Sequence, residues 1–216
     1  MRKLLVSWAA VVALFAVVLH PTPVLAGAPT DQLKTSVDAV IKLLKDEDLK
    51  RPEKFKERRA LLRKTIIERF DFTEMSKRSL AAQWAKRTPQ EKKEFVDMFT
   101  NLLEKSYMDR IEAYTDQAVE YNGESIDNDY AVVKTAVNAK DKEGIPIDYK
   151  LIKEGDQWFV YDVVIEGVSL VSNYRNQFNK IISNGSYADL VKKMKAKEAE
   201  ILEEPGVKKK SSPGIE

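Results

Sequence analysis

Cysteine is missing altogether from this 216-residue chain, and histidine occurs once, at position 20. The first absence excludes disulfides, thiolate metal sites and a lipid anchor carried on cysteine. His20 falls in the N-terminal segment described next. Beyond it, imidazole acid–base chemistry, histidine zinc sites and Ser-His-Asp or Cys-His catalysis are excluded too. Long apolar runs are equally scarce. The only one, Leu4 to Leu19, follows Arg2-Lys3 and precedes Pro21, Pro23 and Val24-Leu25-Ala26. A basic tip, a short apolar run and a small residue before the cut predict a secretory signal peptide over 1–26. The run is short for a membrane span, which needs about 20 apolar residues. Charge of one sign is lacking as well: without Arg2 and Lys3, 34 basic residues face 34 acidic ones. A nucleic-acid binder would carry a basic excess, so no nucleic-acid partner is expected. The expectation is an exported, soluble, monomeric protein of a bacterial envelope, its periplasm, with the remaining chain long enough to build a core without disulfides.

What the chain does contain divides in two. Leu33, Val37, Val40, Ile41 and Leu44 recur at helical spacing, and Phe55, Leu62 and Ile66 support a second helix. Asp71 followed by Glu74 signals the start of a third, carrying Phe72, Met75 and Leu80. Thr88-Pro89-Gln90-Glu91 reads as a capping box opening a long helix to about Tyr114. Its apolar face, Phe95 to Tyr107, is wide enough to predict that it lies across a sheet. From 117 the period becomes two, cut by polar turns at Asp127, Asp141 and Glu154, which predicts four strands over 117–124, 130–139, 145–153 and 157–165 in an antiparallel meander. Odd-length loops would place Val133, Val137, Ile145, Ile147, Tyr149, Leu151, Phe159, Tyr161 and Val163 on one face. Two helices follow, one with Leu170, Tyr174 and Phe178, the other with Leu190 and Met194. Residues 27–203 form one domain of class α+β, and 204–216 read as a disordered tail.

The segment Val160 to Phe178, VYDVVIEGVSLVSNYRNQF, is unusual in carrying apolar residues on both faces of its strand, with Asp162 set into it. Either these residues are close-packed core, or they line an interior space that an apolar ligand occupies. Gly167 would allow the sharp turn, with Ser169 capping the next helix. Asp162 has two readings: a proton-transfer base working with a tyrosine in a cavity enzyme, or a structural acid that pairs with Arg175 or the backbone and pins strand to helix. Asn184-Gly-Ser, the Lys208–Lys210 run and the Glu91-Lys-Lys-Glu face read as a chance motif and solvated surface.

From Trp158 to Phe178 the chain resembles the signature of the MlaC family, the periplasmic phospholipid carriers also called toluene-tolerance proteins: a strand ending Tyr-Asp-Val, a Glu-Gly-Val-Ser-Leu turn and a helix with Arg-x-x-Phe. Phe70-Asp71-Phe72, Ser79-Leu80, Trp84, Thr88-Pro-Gln-Glu, Glu94-Phe95, Tyr107 and Ile147-Asp-Tyr149 continue the likeness, which spans about Asp31 to Leu190. One departure is Ala81-Ala82, where the resemblance leads one to expect a glycine in many relatives. The resemblance implies a cone-like fold holding a phospholipid by its acyl chains, with no cofactor and no catalysis. It further implies traffic between an outer-membrane lipoprotein complex and an inner-membrane ABC lipid transporter, serving outer-membrane lipid asymmetry. The residues expected near the acyl chains are Phe99, Leu103, Tyr107, Val133, Val137, Tyr149, Tyr161, Val163, Val168, Leu170, Tyr174 and Phe178, with Asp162 and Arg175 as structural polar residues. A cavity enzyme using Asp162 and an envelope adaptor without ligand are the alternatives.

Overall fold

The computed structural model describes residues 28–114, 116–139 and 142–203, so the predicted signal peptide and tail lie outside the described residues. Helix α1 spans Ala28–Lys45 and ends where the Asp46 side chain accepts the N–H groups of Asp48 and Leu49. A short 3-10 turn, Pro52–Lys54, leads into α2, Phe55–Ile67. Helix α3, Phe72–Leu80, starts as expected with Asp71 accepting from the Glu74 N–H at 2.8 Å. It stops at Ala81, whose φ of 47° and ψ of −125° continue no helix. Helix α4, Pro89–Glu112, opens on the Thr88–Glu91 capping box in full.

The sheet is a meander in the order β1 to β5: β1 Ala118–Asp127, β2 Tyr130–Ala139, β3 Lys142–Glu154, β4 Gln157–Ile165 and β5 Val168–Ser169. All neighbours are antiparallel. The predicted four strands are present. The fifth is two residues long and pairs Ile165 with Val168 across Glu166 and Gly167. Both turn residues have positive φ, 50° and 81°, as a two-residue hairpin requires. Helix α5, Leu170–Asn184, follows at once, capped by Ser169 accepting from the Ser172 N–H, and α6 spans Tyr187–Glu203.

A bulge in β4 corrects the predicted faces. Asp162 pairs with Lys150 but Val160 pairs with Leu151, so Tyr161 is an extra residue and the alternation shifts by one there. Trp158, Val160, Val163 and Ile165 share the inner face with Tyr149 and Ile147, whereas Phe159, Tyr161 and Asp162 turn outward. The outer edge of β4 is closed by two short pieces. Phe70 bridges Val160 in parallel, with the Asp71 N–H on the Val160 carbonyl and the Val160 N–H on the Arg69 carbonyl, both at 2.9 Å. Beyond the bulge, β5 takes over. These two pieces cover the β4 edge against pairing with another chain.

Two cores result. One is helical: Met75, Leu80, Phe95, Phe99, Val171, Tyr174, Phe178, Leu190 and Met194. Its rings interlock edge to face, Phe99 with Tyr174 at 5.2 Å and Phe99 with Phe178 at 5.5 Å between centroids. The other lies on the inner face of the sheet under α1: Leu33, Val133, Leu151, Trp158, Val160 and Val163. Arg69 ties α1 to β4, donating to Ser36 Oγ, Gln32 Oε1 and the Trp158 carbonyl at 2.9, 3.0 and 2.7 Å. Helix α4 does not lie on the sheet as its broad apolar face predicts; it packs against α3, α5 and α6 and meets α2 through Leu62 and Met108.

Candidate lipid-binding site

The reason α4 stands off the sheet is a cavity of about 510 Å³ between them. Its walls come from the stripe of α1, Val37, Val40, Ile41 and Leu44, from Ile66 and Ile67 of α2, and from Phe72 and Met75 of α3. Leu103, Tyr107, Met108 and Ile111 of α4 close it opposite Val137, Ile147, Tyr149, Val163 and Ile165 of the sheet. Each side chain is there for a local reason. The α4 residues recur every three or four positions on one turn-facing stripe, and the sheet residues alternate inward. The volume falls within the range of about 300–1,000 Å³ typical of sites that enclose most of a small ligand.

Polar groups are the minority of the lining. Arg63 of α2 forms an ion pair with Glu104 of α4 beside the cavity and donates to Asn101 at 3.3 Å. Arg110, Glu166, Ile67 and Ile145 are the exposed residues of the lining and mark where the cavity meets solvent. Inside, tyrosine hydroxyls face an apolar wall. Burial pushes the Tyr149 hydroxyl up to about 12. Burial also raises Tyr107, reinforced by Tyr174 and opposed by Arg110. These groups stay neutral at physiological pH, so the interior carries no charge of its own from them.

Of the residues expected near the acyl chains, Leu103, Tyr107, Val137, Tyr149, Val163 and Leu170 line this cavity. Six do not. Phe99, Tyr174 and Phe178 belong to the interlocked aromatic core between α4 and α5. Val133 is fully buried under α1 in the sheet core. Tyr161 is turned outward by the bulge and stacks under the Arg78 guanidinium, 4.1 Å from its ring centroid. Val168, in the short β5, is 57% exposed. Sequence reasoning misses the contribution of α1 and α2, because a helical stripe looks the same whether it meets side chains or a cavity. The available signal is the breadth of the α4 face, which exceeds what one packing partner covers.

Asp162 is 4% exposed and lies on the other side of the sheet from the cavity. Its Oδ2 accepts the Ser169 hydroxyl at 2.6 Å, its Oδ1 accepts the Val171 N–H at 3.1 Å, and Lys150 Nζ stands 3.4 Å away. It pins β4 to the start of α5, which is the structural alternative. The partner is Lys150 and not Arg175, because Arg175 points out of α5 and reaches only the Ser172 hydroxyl, at 3.5 Å. A carboxylate so engaged, and facing away from the cavity, has no access to a ligand held there.

A mostly uncharged chamber between helices and the inner face of a meander sheet defines an α+β protein of the apolar-ligand-binding class. The chain belongs to the MlaC family: the family description "MlaC protein" matches residues 34–196. Among solved structures it is similar to a phospholipid-binding protein from Ralstonia solanacearum determined in complex with a phospholipid. That likeness has 29% identity and a TM-score of 0.72, and covers 81% of this chain and 99% of the other. No curated protein sequence matches the chain significantly. Among the described residues, no helix is long and apolar enough to cross a membrane.

Proposed function

We propose that the protein is a periplasmic phospholipid carrier that holds the acyl chains in the cavity between α1, α4 and the sheet, without catalysis. The observation that carries the reading is the predominantly apolar lining of a cavity of about 510 Å³, contributed by α1, α2, α3, α4 and the sheet, with few charged side chains among the lining residues. Family membership and the phospholipid-bound relative support it. The physical task fits such a chamber. Moving a diacyl lipid through water exposes about 30 methylenes at about 0.8 kcal/mol each, a barrier near 25 kcal/mol. A carrier that matches the apolar environment of a bilayer removes most of that barrier and leaves exchange at each end nearly balanced. Direction then comes from its partners: an outer-membrane lipoprotein complex at one end and an inner-membrane ABC transporter at the other. The enzyme alternative loses its general base, since Asp162 faces away from the cavity and its oxygens are already engaged.

The test is native mass spectrometry of protein purified without detergent, followed by solvent extraction. Near-stoichiometric phospholipid is the expected result. Protein that stays free of lipid after incubation with liposomes would refute the carrier reading.

A further inference from the structure

A second, smaller cleft of about 380 Å³ lies on the outer face of the sheet, and it differs from the lipid cavity in every chemical respect. It is lined by Arg78 of α3, Lys150 of β3 and Arg175 and Ser172 of α5, together with Tyr161, Asp162, Val171 and Ala81. Three cations from three elements therefore face one carboxylate. That carboxylate cannot neutralise them all. Both oxygens of Asp162 are occupied by the Ser169 hydroxyl and the Val171 N–H, with Lys150 at 3.4 Å. Arg78 is paired with Glu74 at 2.8 Å, but Glu74 is shared with Lys77 at 2.9 Å. Arg175 has no carboxylate within ion-pairing distance among the described residues and is held only by a 3.5 Å contact to Ser172. The start of α5 adds the positive end of a helix to the same cleft.

Three cations against the single lining carboxylate leave the cleft with a net positive charge, and a bound anion would relieve the repulsion among them. Guanidinium forks, an ammonium and a serine hydroxyl are the donors that suit the oxygens of a phosphate group. The lining is predominantly polar, so an acyl chain gains nothing there. We propose that this cleft is a binding site for a phosphate group, separate from the lipid cavity and on the opposite face of the sheet. Adjacent residues show the separation: Tyr149 lines the lipid cavity while Lys150 lines the cleft. The phosphate belongs either to a small soluble phosphate monoester or to a lipid head group at a membrane surface. The site stands on its own geometry and does not depend on what the apolar cavity holds.

The test titrates inorganic phosphate into the purified protein at constant ionic strength, against chloride, and follows the melting temperature. Wild type is expected to show a saturable rise. Arg175 is exposed and held only by the 3.5 Å contact to Ser172, so Arg175→Glu, which removes one of the repelling cations, should melt no lower than wild type without phosphate. It should require at least roughly tenfold more phosphate for the same rise, since one charge-assisted hydrogen bond is worth that factor or more. A rise no larger than that given by chloride, or the same rise in Arg175→Glu, would overturn the proposal. A second arm measures co-sedimentation with phosphatidylcholine vesicles containing phosphatidic acid. Retention that free phosphate competes away and Arg175→Glu abolishes assigns the site to a lipid phosphate. A saturable phosphate effect without vesicle retention assigns it to a soluble phosphate monoester. Measuring bound phospholipid in Arg175→Glu by mass spectrometry keeps the two sites apart: lipid retained while the phosphate response is lost is the expected pattern.

Discussion

Replacing Asp162 with asparagine tests whether the acid embedded in β4 is structural or functional. The carboxylate accepts two hydrogen bonds, from the Ser169 hydroxyl and the Val171 N–H, and faces Lys150 at 3.4 Å while itself only 4% exposed. Asparagine keeps one acceptor oxygen but presents an NH2 group in place of the other, toward either the Lys150 ammonium or the donors of the α5 start. A hydrogen bond to a charged group is worth about 1.5–3 kcal/mol, and one is lost outright. Lys150 also loses its counter-charge, but it is 36% exposed, so water offsets most of that cost. The expected destabilisation is about 2–3 kcal/mol. In a domain of this size about 1 kcal/mol lowers the melting temperature by roughly 2–4 °C, so the variant should melt about 5–10 °C below wild type. The assay is thermal unfolding by circular dichroism, with lipid content by mass spectrometry on the same preparation at a temperature where the variant is folded. Lipid per folded molecule should equal wild type, because Asp162 lies across the sheet from the cavity. An unchanged melting temperature with lost lipid would refute the reasoning and revive a direct role for the acid.

Three further outcomes are expected. Ala81 holds φ 47° and ψ −125°, a conformation that costs a side-chain-bearing residue about 1–3 kcal/mol. Ala81→Gly recovers that strain less about 0.4–1 kcal/mol of added unfolded-state entropy, so a gain near 1 kcal/mol should appear in urea unfolding. Ile147→Trp should fill part of the lipid cavity, lowering bound phospholipid several-fold by mass spectrometry while thermal stability without lipid changes by less than about 1.5 kcal/mol. The Tyr149 hydroxyl is raised by burial to about 12, so folding favours its neutral form. Its contribution to stability is complete below the unfolded value of about 10 and is lost as pH rises to about 12. Stability measured by denaturant unfolding across pH 9–12 should therefore fall less steeply for Tyr149→Phe than for wild type, the remaining slope coming from the other tyrosines that burial raises, Tyr107, Tyr121 and Tyr174 among them.

Features that depend on residues within a few positions of each other are legible in the amino-acid sequence alone. The Asp71, Thr88 and Ser169 caps, the turn at Gly167, the meander and the helical stripes all follow from local hydrogen bonding and from periods of two or near four. The positive φ at Ala81 is not legible in the sequence, because an alanine gives no signal of the left-handed backbone that glycine favours. The face assignment fails at Phe159 and Tyr161, because a bulge at Tyr161 depends on what closes the edge of β4, and those pieces come from residues 69–71 and 168–169. Asp162 reads as a buried acid from sequence, yet its ion partner is Lys150 on the neighbouring strand, a matter of register. The cavity itself is the clearest limit. Leu103 lines it and Phe99, one turn earlier on the same helix, is locked against Tyr174 and Phe178. Burial of apolar surface rewards both arrangements alike and is not directional. Which of two equally apolar stripes meets a neighbour and which meets a space is therefore settled by how far apart whole helices and the sheet are held, here by the Arg69 tie and the aromatic core at one end of α4.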